Sequence, residues 1–565
     1  MTALAQARQR AAAAALRDPW AWFAWVALAV LIVFVAIPLA ELARQAFIGE
    51  RSGQVGLENF ATFFGSGFFR RSLVNTLTVG AAGTAMALAL GIPLALAFAR
   101  YHFPGKPVIE VAILLSMLSP PFVGAYAWII LFGRSGIVTV AARDVGIALP
   151  TIYGPTGIAL ASAFSLFPLV FLVVRGALVR VDAGLEDAAA SLGRPPWRVT
   201  LGITLPLVLP AIVTAGLLVF LGVISDFGTP AILGEGDRYP VLATLAYTLY
   251  LSEVGGQGAM AATTSVLLVA IALALVAAAR LLAARRTVAN DGGSRRAPAP
   301  LPRGRGWAMT AGVGLLVLVT NLPLVVIVVS SFLEVRGVVF QAALTSANYV
   351  KAWAAIGSAL TNSLTYAATA LAVTIVVGTA LGYYLVRRTG PVARTIDLLV
   401  MVPYVVPGTV LGIGYAQVFN GPPLFLTGTA TIIGIVYVIR RLPYMTRAAS
   451  SIVYQIDRSL EDASQNLGMP PAQGFARIVV PLMRPAIVAG AAIAWVEIFN
   501  ELSASIVLYT GATRTLPIAA YQQSLGGDVG MAAAYATMLI GVTAAALAVF
   551  ALSGGNRRER EMGWL

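Results

Sequence analysis

The chain has 565 residues, of which 59% are hydrophobic and only 11% charged, against roughly 25% charged in an ordinary soluble domain, which excludes a soluble enzyme. Its 38 Lys and Arg against 24 Asp and Glu leave a formal charge of +14, but the cations stand between apolar runs and make no solvated basic face for a nucleic acid. There is no Cys, and His102 is the only His, so disulfides, thiolate zinc sites, iron–sulfur clusters and Cys nucleophiles are excluded; no metal set and no catalytic residue is assigned.

A bilayer core about 30 Å thick takes about 20 apolar residues in helix. Twelve runs have that length: 20–43, 73–99, 108–132, 156–178, 207–232 and 258–283, then 307–331, 360–386, 396–420, 424–449, 484–509 and 531–552. The first is expected to be a retained span, with Asp18-Pro19 as its cap and first turn and Trp20, Trp22 and Trp25 as an interfacial belt. Phe167-Pro168 and Leu442-Pro443 interrupt the fourth and tenth runs, and Arg440-Arg441 inside the tenth is expected to snorkel to the cytosol. Placing the N-terminus inside assigns 28 of the 38 Lys and Arg to the cytoplasmic side, so both termini are expected there. The Arg-, Gly- and Pro-rich stretch 284–306 reads as a flexible linker between modules 1–283 and 307–565.

The modules repeat one another. Leu185-Glu186-Asp187-Ala188 returns as Leu460-Glu461-Asp462-Ala463, an offset of 275 that also pairs Asp182 with Asp457, Gly193 with Gly468 and Pro195-Pro196 with Pro470-Pro471. Earlier in each module Leu73-Val74-Asn75-Thr76-Leu77 resembles Leu360-Thr361-Asn362-Ser363-Leu364 at an offset of 287, with Gly91 and Arg100 matching Gly378 and Arg387. An even number of spans per repeat makes the copies parallel. The expected fold is all-α: a polytopic membrane protein with about twelve transmembrane helices in two six-helix repeats.

Both copies of the matched segment fall between the fourth and fifth spans. Glu186-Asp187-Ala188-Ala189 predicts a short helix with acids in its first turn, Gly193 a left-handed stop, and Pro195-Pro196 a second helix start. The product is a compact knuckle outside the membrane. Asp187-Ala188-Ala189, then Gly193, then Ile203-Thr204-Leu205-Pro206 closely resembles the loop signature of ABC importer permeases of the type I kind; the second copy reads Asp462-Ala463-Ser464, Gly468 and Ile478-Val479-Val480-Pro481. Either of the adjacent acids in each copy, Glu186 or Asp187 and Glu461 or Asp462, is open as the family's contact residue. The resemblance implies a homodimer of ATP-binding cassette subunits, one on each knuckle, and an extracytoplasmic substrate-binding protein. It also implies residence in the bacterial inner membrane, with lipid as the surroundings. This chain would bind no cofactor, ATP being hydrolysed on the partner; consistent with that, neither Lys106 nor Lys351 stands in a GxxxxGK[ST] loop. The fused six-plus-six form, with Ser225-Asp226-Phe227-Gly228 and Asn500-Glu501-Leu502-Ser503 after the fifth and eleventh spans, most resembles the ferric-iron branch, with thiamine and aminoethylphosphonate permeases nearby.

Intramembrane acids are costly and tend to face an interior. Ser225, Asp226, Glu497, Asn500 and Glu501 are therefore candidates for a path or gate, the alternative being that the acids are helix caps; Asp226 and Glu501 share the 275 offset. Asn75 and Asn362 are expected to join elements by hydrogen bonds. An ion-coupled secondary transporter is the competing class, and it leaves the duplicated knuckle without a role.

Overall fold

A computed structural model describes residues 19–252, 258–284, 297–337 and 339–553. The expected cap at Asp18, the terminal arginines used for orientation and most of the linker lie outside the described residues. The first half runs α1 (Pro19–Phe47), α2 (Glu58–Gly65), α3 (Gly67–Arg100), α4 (Lys106–Leu115), α5 (Pro121–Phe132), α6 (Ile137–Asp144), α7 (Pro155–Leu178), α8 (Ala183–Ser191), α9 (Pro196–Ser225), α10 (Gly228–Leu233), α11 (Leu242–Leu251) and α12 (Gly258–Ala284). The second repeats that order without a helix in the place of α6. It comprises α13 (Arg303–Ser331), α14 (Ala347–Ala355), α15 (Ala359–Arg387), α16 (Pro391–Val405), α17 (Gly408–Val418), α18 (Ala430–Val453), α19 (Ser459–Asn466), α20 (Pro471–Phe499), α21 (Ser505–Leu508), α22 (Leu516–Gly526) and α23 (Val529–Ser553).

Among the described residues ten helical stretches are long and apolar enough to cross a membrane, one of them α5 and α6 taken together (Pro121–Asp144). The chain is thus an all-α polytopic membrane protein. Four of the twelve expected spans are not single helices: 207–232 and 484–509 run past the ends of α9 and α20 into α10 and α21, and two more are divided at a proline, 108–132 between α4 and α5 and 396–420 between α16 and α17, which meet at 112°. The prolines are Pro120 and Pro407. A proline forces the residue before it out of the helical region, and Ser119 and Val406 are extended, with ψ of 127° in both. The expected interruptions at Pro168 and Pro443 do not break α7 or α18, which run through them. α18 has the length of a span but falls outside the ten, because it carries Arg440, Arg441 and Arg447.

Each half builds the same three-helix core. α3 packs on α7 and α9 as α15 packs on α18 and α20. Small residues permit the close approach: a Cβ on Gly91 would lie 2.6 Å from Val170 Cβ, and one on Gly378 would lie 2.7 Å from Met445 Cβ. The leading helix of each half crosses over. α1 packs against α16 and α17 of the second half, and α13 against α4 and α5 of the first. The crossing is pinned by hydrogen bonds from Tyr415 Oη to the Phe34 carbonyl (2.6 Å) and from Asn321 Nδ2 to the Ala112 carbonyl (3.1 Å).

Candidate functional site

The two knuckles are built alike. Asp182 Oδ1 accepts the Gly184 N–H at 3.0 Å to open α8, and Asp457 Oδ1 accepts the Ser459 N–H at 2.9 Å to open α19. The backbone and hydroxyl of Ser459 hold the Asp457 carboxyl below its ordinary range. Both helices stop on a left-handed glycine, Gly193 at φ +75° and Gly468 at φ +82°. The chain then turns back through the Arg194 N–H to the Ala189 carbonyl (3.2 Å) and the Met469 N–H to the Ser464 carbonyl (3.0 Å), the closure a left-handed stop permits.

The adjacent acids divide by direction. Glu186 is buried and accepts from the Arg100 guanidinium and from Thr204 Oγ1, the latter at 2.6 Å. Glu461 is buried and accepts from Arg387 Nε at 2.7 Å and Tyr383 Oη at 2.5 Å. Asp187 and Asp462 lie on the exposed face with Ala188 and Ala463, while Ala189 and Ser464 are buried beneath. Arg100 and Arg387 end α3 and α15, so each knuckle is fastened to the foot of its own half. These arginines were visible only as a repeat match, with no signal for their partner. Leu192 and Leu467, a further pair at the 275 offset, are 83% and 88% exposed at the knuckle tips.

The second set of candidates sits where α9 and α20 end. Asp226 caps the turn into α10, accepting the Gly228 N–H at 3.0 Å and the Thr229 N–H at 3.2 Å. Glu501 Oε1 accepts the Ala504 N–H at 3.0 Å in the same manner. Its other oxygen accepts from both Arg440 and Arg441. Arg441 also reaches Glu497, through Nη1 to Oε2 at 3.1 Å and Nη2 to the carbonyl at 3.0 Å. Arg440 and Arg441 therefore do not snorkel. The acids on α20 and the loop after it hold them inside the protein, because a carboxylate at contact distance offsets the hydration that a buried guanidinium loses. The two turns approach each other across the halves: a Cβ on Gly228 would lie 3.3 Å from Leu502 Cδ2, and the Phe227 and Tyr521 rings are 5.7 Å apart. Ser225 and Asn500 are half-buried beside their acids.

Asn75 Nδ2 donates to the Pro240 carbonyl at 2.9 Å, and Asn362 Nδ2 donates to the Ala512 and Arg514 carbonyls at 2.9 and 3.0 Å. Each joins α3 or α15 to the strand of chain entering α11 or α22. A further matched pair escaped the sequence reading. Buried Asn59 donates to the Ala46 and Ile48 carbonyls (3.0 and 2.7 Å), and buried Asn348 to the Ser331 and Leu333 carbonyls (3.0 and 2.8 Å). Both close the end of a half's leading helix. The signal was Asn59-Phe60 against Asn348-Tyr349, too short to stand out unaided. Among the described residues no three His, Asp or Glu side chains gather as a metal site.

The profile of the family described as binding-protein-dependent transport system inner membrane component matches twice, over residues 87–288 and 374–556. The chain belongs to that family. It is a permease of the ABC importers, in two fused modules, and a multi-pass inner membrane protein. The permease is 30% identical over 519 residues to the ferric transport system permease protein FbpB of Actinobacillus pleuropneumoniae, covering 89% of this chain and 74% of that one. It is 31% identical to a putative ferric transport system permease protein FbpB 1 of Haemophilus influenzae, covering 79% and 71%. The molybdenum transport system permease protein ModB of Mycobacterium bovis is 30% identical over 254 residues, 45% of this chain and 92% of that protein.

Proposed function

We propose that the permease forms the translocation path of an importer for ferric iron, binding no cofactor itself and hydrolysing no ATP. Each knuckle docks on one subunit of a homodimeric ATPase, and closure of that dimer on ATP swings the halves between inward and outward states. The observation that carries this reading is the duplicated knuckle: two helices with the same stop, the same buried Glu–Arg anchor and the same exposed leucine suit a two-fold partner, because equal surfaces meet equal subunits. Asp187, Asp462, Ala188, Ala463, Leu192 and Leu467 form the docking faces. Glu186 and Glu461 position those faces without touching the partner. This side faces the cytoplasm, with both termini. The turns holding Asp226 and Glu501 form the gate, and an extracytoplasmic binding protein delivers cargo on the opposite side.

Ferric iron is favoured because the two ferric relatives match both modules, whereas ModB matches one module's length. Molybdate is the second reading, on the strength of that single-module identity. ATP-driven uptake into proteoliposomes, with the neighbouring ATPase and binding protein added and ferric iron, molybdate, thiamine and aminoethylphosphonate offered in turn, decides between them. Uptake that proceeds without the ATPase, driven by an ion gradient, would overturn the importer reading.

A further inference from the structure

At the level of the two gate turns the halves differ in chemistry. Arg440, Arg441, Glu497 and Glu501 of the second half correspond by the 275 offset to Ser165, Leu166, Gly222 and Asp226 of the first. At these matched positions the second half carries two guanidinium groups and the first carries none.

The donors and acceptors of this cluster do not balance. An arginine offers five N–H donors and no acceptor. Glu501 is 4% exposed, and its two oxygens are taken by Ala504 N–H and by both guanidiniums. The Glu497 carboxylate, whose side chain is 41% exposed, meets Arg441. Arg440 Nε and Arg441 Nε remain buried with no hydrogen-bond partner, as does Thr409 Oγ1. Thr409 stands in the first turn of α17, directly after Gly408, whose Cβ would lie 2.6 Å from Arg440 Nη1. The broken span thus brings the N-terminal, positive end of α17 against a guanidinium. Asn500 Oδ1, an acceptor, is also buried and unpartnered beside them. Across the gate, the Asp226 oxygens are occupied by the amides of α10. Buried polar groups without partners call for a ligand or an ion, and on the guanidiniums the surplus is of donors, Arg440 Nε and Arg441 Nε.

We propose that this cluster is a transit site on the second-half wall for cargo presenting oxygen acceptors: an oxyanion, or a metal ion carried as an anionic, oxygen-ligated complex. Arg440 and Arg441 are the specificity-determining residues, and they exclude a bare multivalent cation. The inference rests on the reading of these turns as part of the path. Guanidinium forks match carboxylates and other oxyanions in bidentate fashion. Glu501 holds the forks in place, and arriving cargo oxygens take the Nε and hydroxyl donors that Glu501 cannot reach. A naked cation would meet carboxylates already paired and two positive groups at contact distance.

The test is calorimetric titration of the permease–ATPase complex in nanodiscs, without nucleotide, using molybdate, ferric citrate and Mn2+ as separate probes. At least one anionic probe should bind and Mn2+ should not; molybdate alone identifies a simple oxyanion site, ferric citrate alone a site for a metal complex. Arg440→Lys and Arg441→Lys keep the charge but lose the Nε donor and the fork, and each should weaken anion binding about tenfold. Glu497→Gln removes the negative charge that competes with an anion for Arg441 and should tighten that binding. Mn2+ binding lost in Glu497→Gln, anion binding indifferent to both Lys variants, or no binding of any probe would overturn the proposal. Co-elution of the ATPase in the same preparation separates these outcomes from failure of the importer reading: a complex that assembles yet binds nothing refutes the transit site alone.

Discussion

The halves agree at their knuckles and disagree at their gate turns. At the knuckles, Glu186 with Arg100 and Glu461 with Arg387 make the same buried pair, and only the third partner changes, Thr204 in one and Tyr383 in the other. At the turns proposed as the gate, Asp226 accepts from backbone amides of α10 alone among the hydrogen bonds described, whereas Glu501 caps its turn and also neutralises two arginines. The difference teaches where symmetry is needed. A surface that meets two identical subunits must be presented twice, while a path crossed by one cargo at a time can have unlike walls.

The comparison breaks most sharply at the gate turns. Glu501→Gln leaves two guanidiniums buried without their shared carboxylate, which should cost about 3–5 kcal/mol. Asp226→Asn keeps a side chain that caps about as well as Asp and should stay within about 0.5 kcal/mol. Thermal unfolding in detergent measures both, and equal shifts would show that the arginines draw their stability from elsewhere.

Next come the anchors. Glu186→Ala and Glu461→Ala each leave an arginine unpaired at the foot of its half, at about 3 kcal/mol. The two should cost about the same, because each removes one guanidinium partner and one buried hydroxyl partner. Limited proteolysis at the knuckles reports the loosening, and an undisturbed knuckle in either variant would rule out the anchor role.

Gly193→Val and Gly468→Val should each cost about 1–2 kcal/mol, since a β-branched residue resists the left-handed region. No atom lies within 4 Å of a Cβ at either position, so the cost is conformational, and Asn should restore function where Val removes it. ATPase co-purification and ATP-driven uptake measure the loss; full uptake with both glycines replaced by Val would refute the knuckle's coupling role.

The smallest effect on the fold should come from Asp187→Lys and Asp462→Lys on the exposed faces, within about 0.5 kcal/mol of wild type. Each should nonetheless weaken ATPase capture in a pull-down. If one reversal is wholly indifferent, only one half couples.

Much of this architecture was readable before any coordinates, and for local reasons. Apolar length reports a span wherever the helix is straight, and the knuckle is written in nearest neighbours: an acid at the first turn, a glycine at the stop, two prolines after it. The duplication was legible because both copies keep those residues at one spacing. What only tertiary structure decided depends on direction and on partners far along the chain. Hydropathy counts residues without regard to heading, so the breaks at Ser119-Pro120 and Val406-Pro407 passed as continuous spans. Glu186 and Asp187 occupy one helical turn, but successive residues point about 100° apart, and only the foot of α3 decides which of them is buried. Arg440 and Arg441 gained their meaning from Glu497 on the neighbouring helix and Glu501 in the loop after it, some sixty residues later. A charge in an apolar run has the same appearance whether it reaches for water or for a carboxylate, and the choice is made by what the fold places beside it.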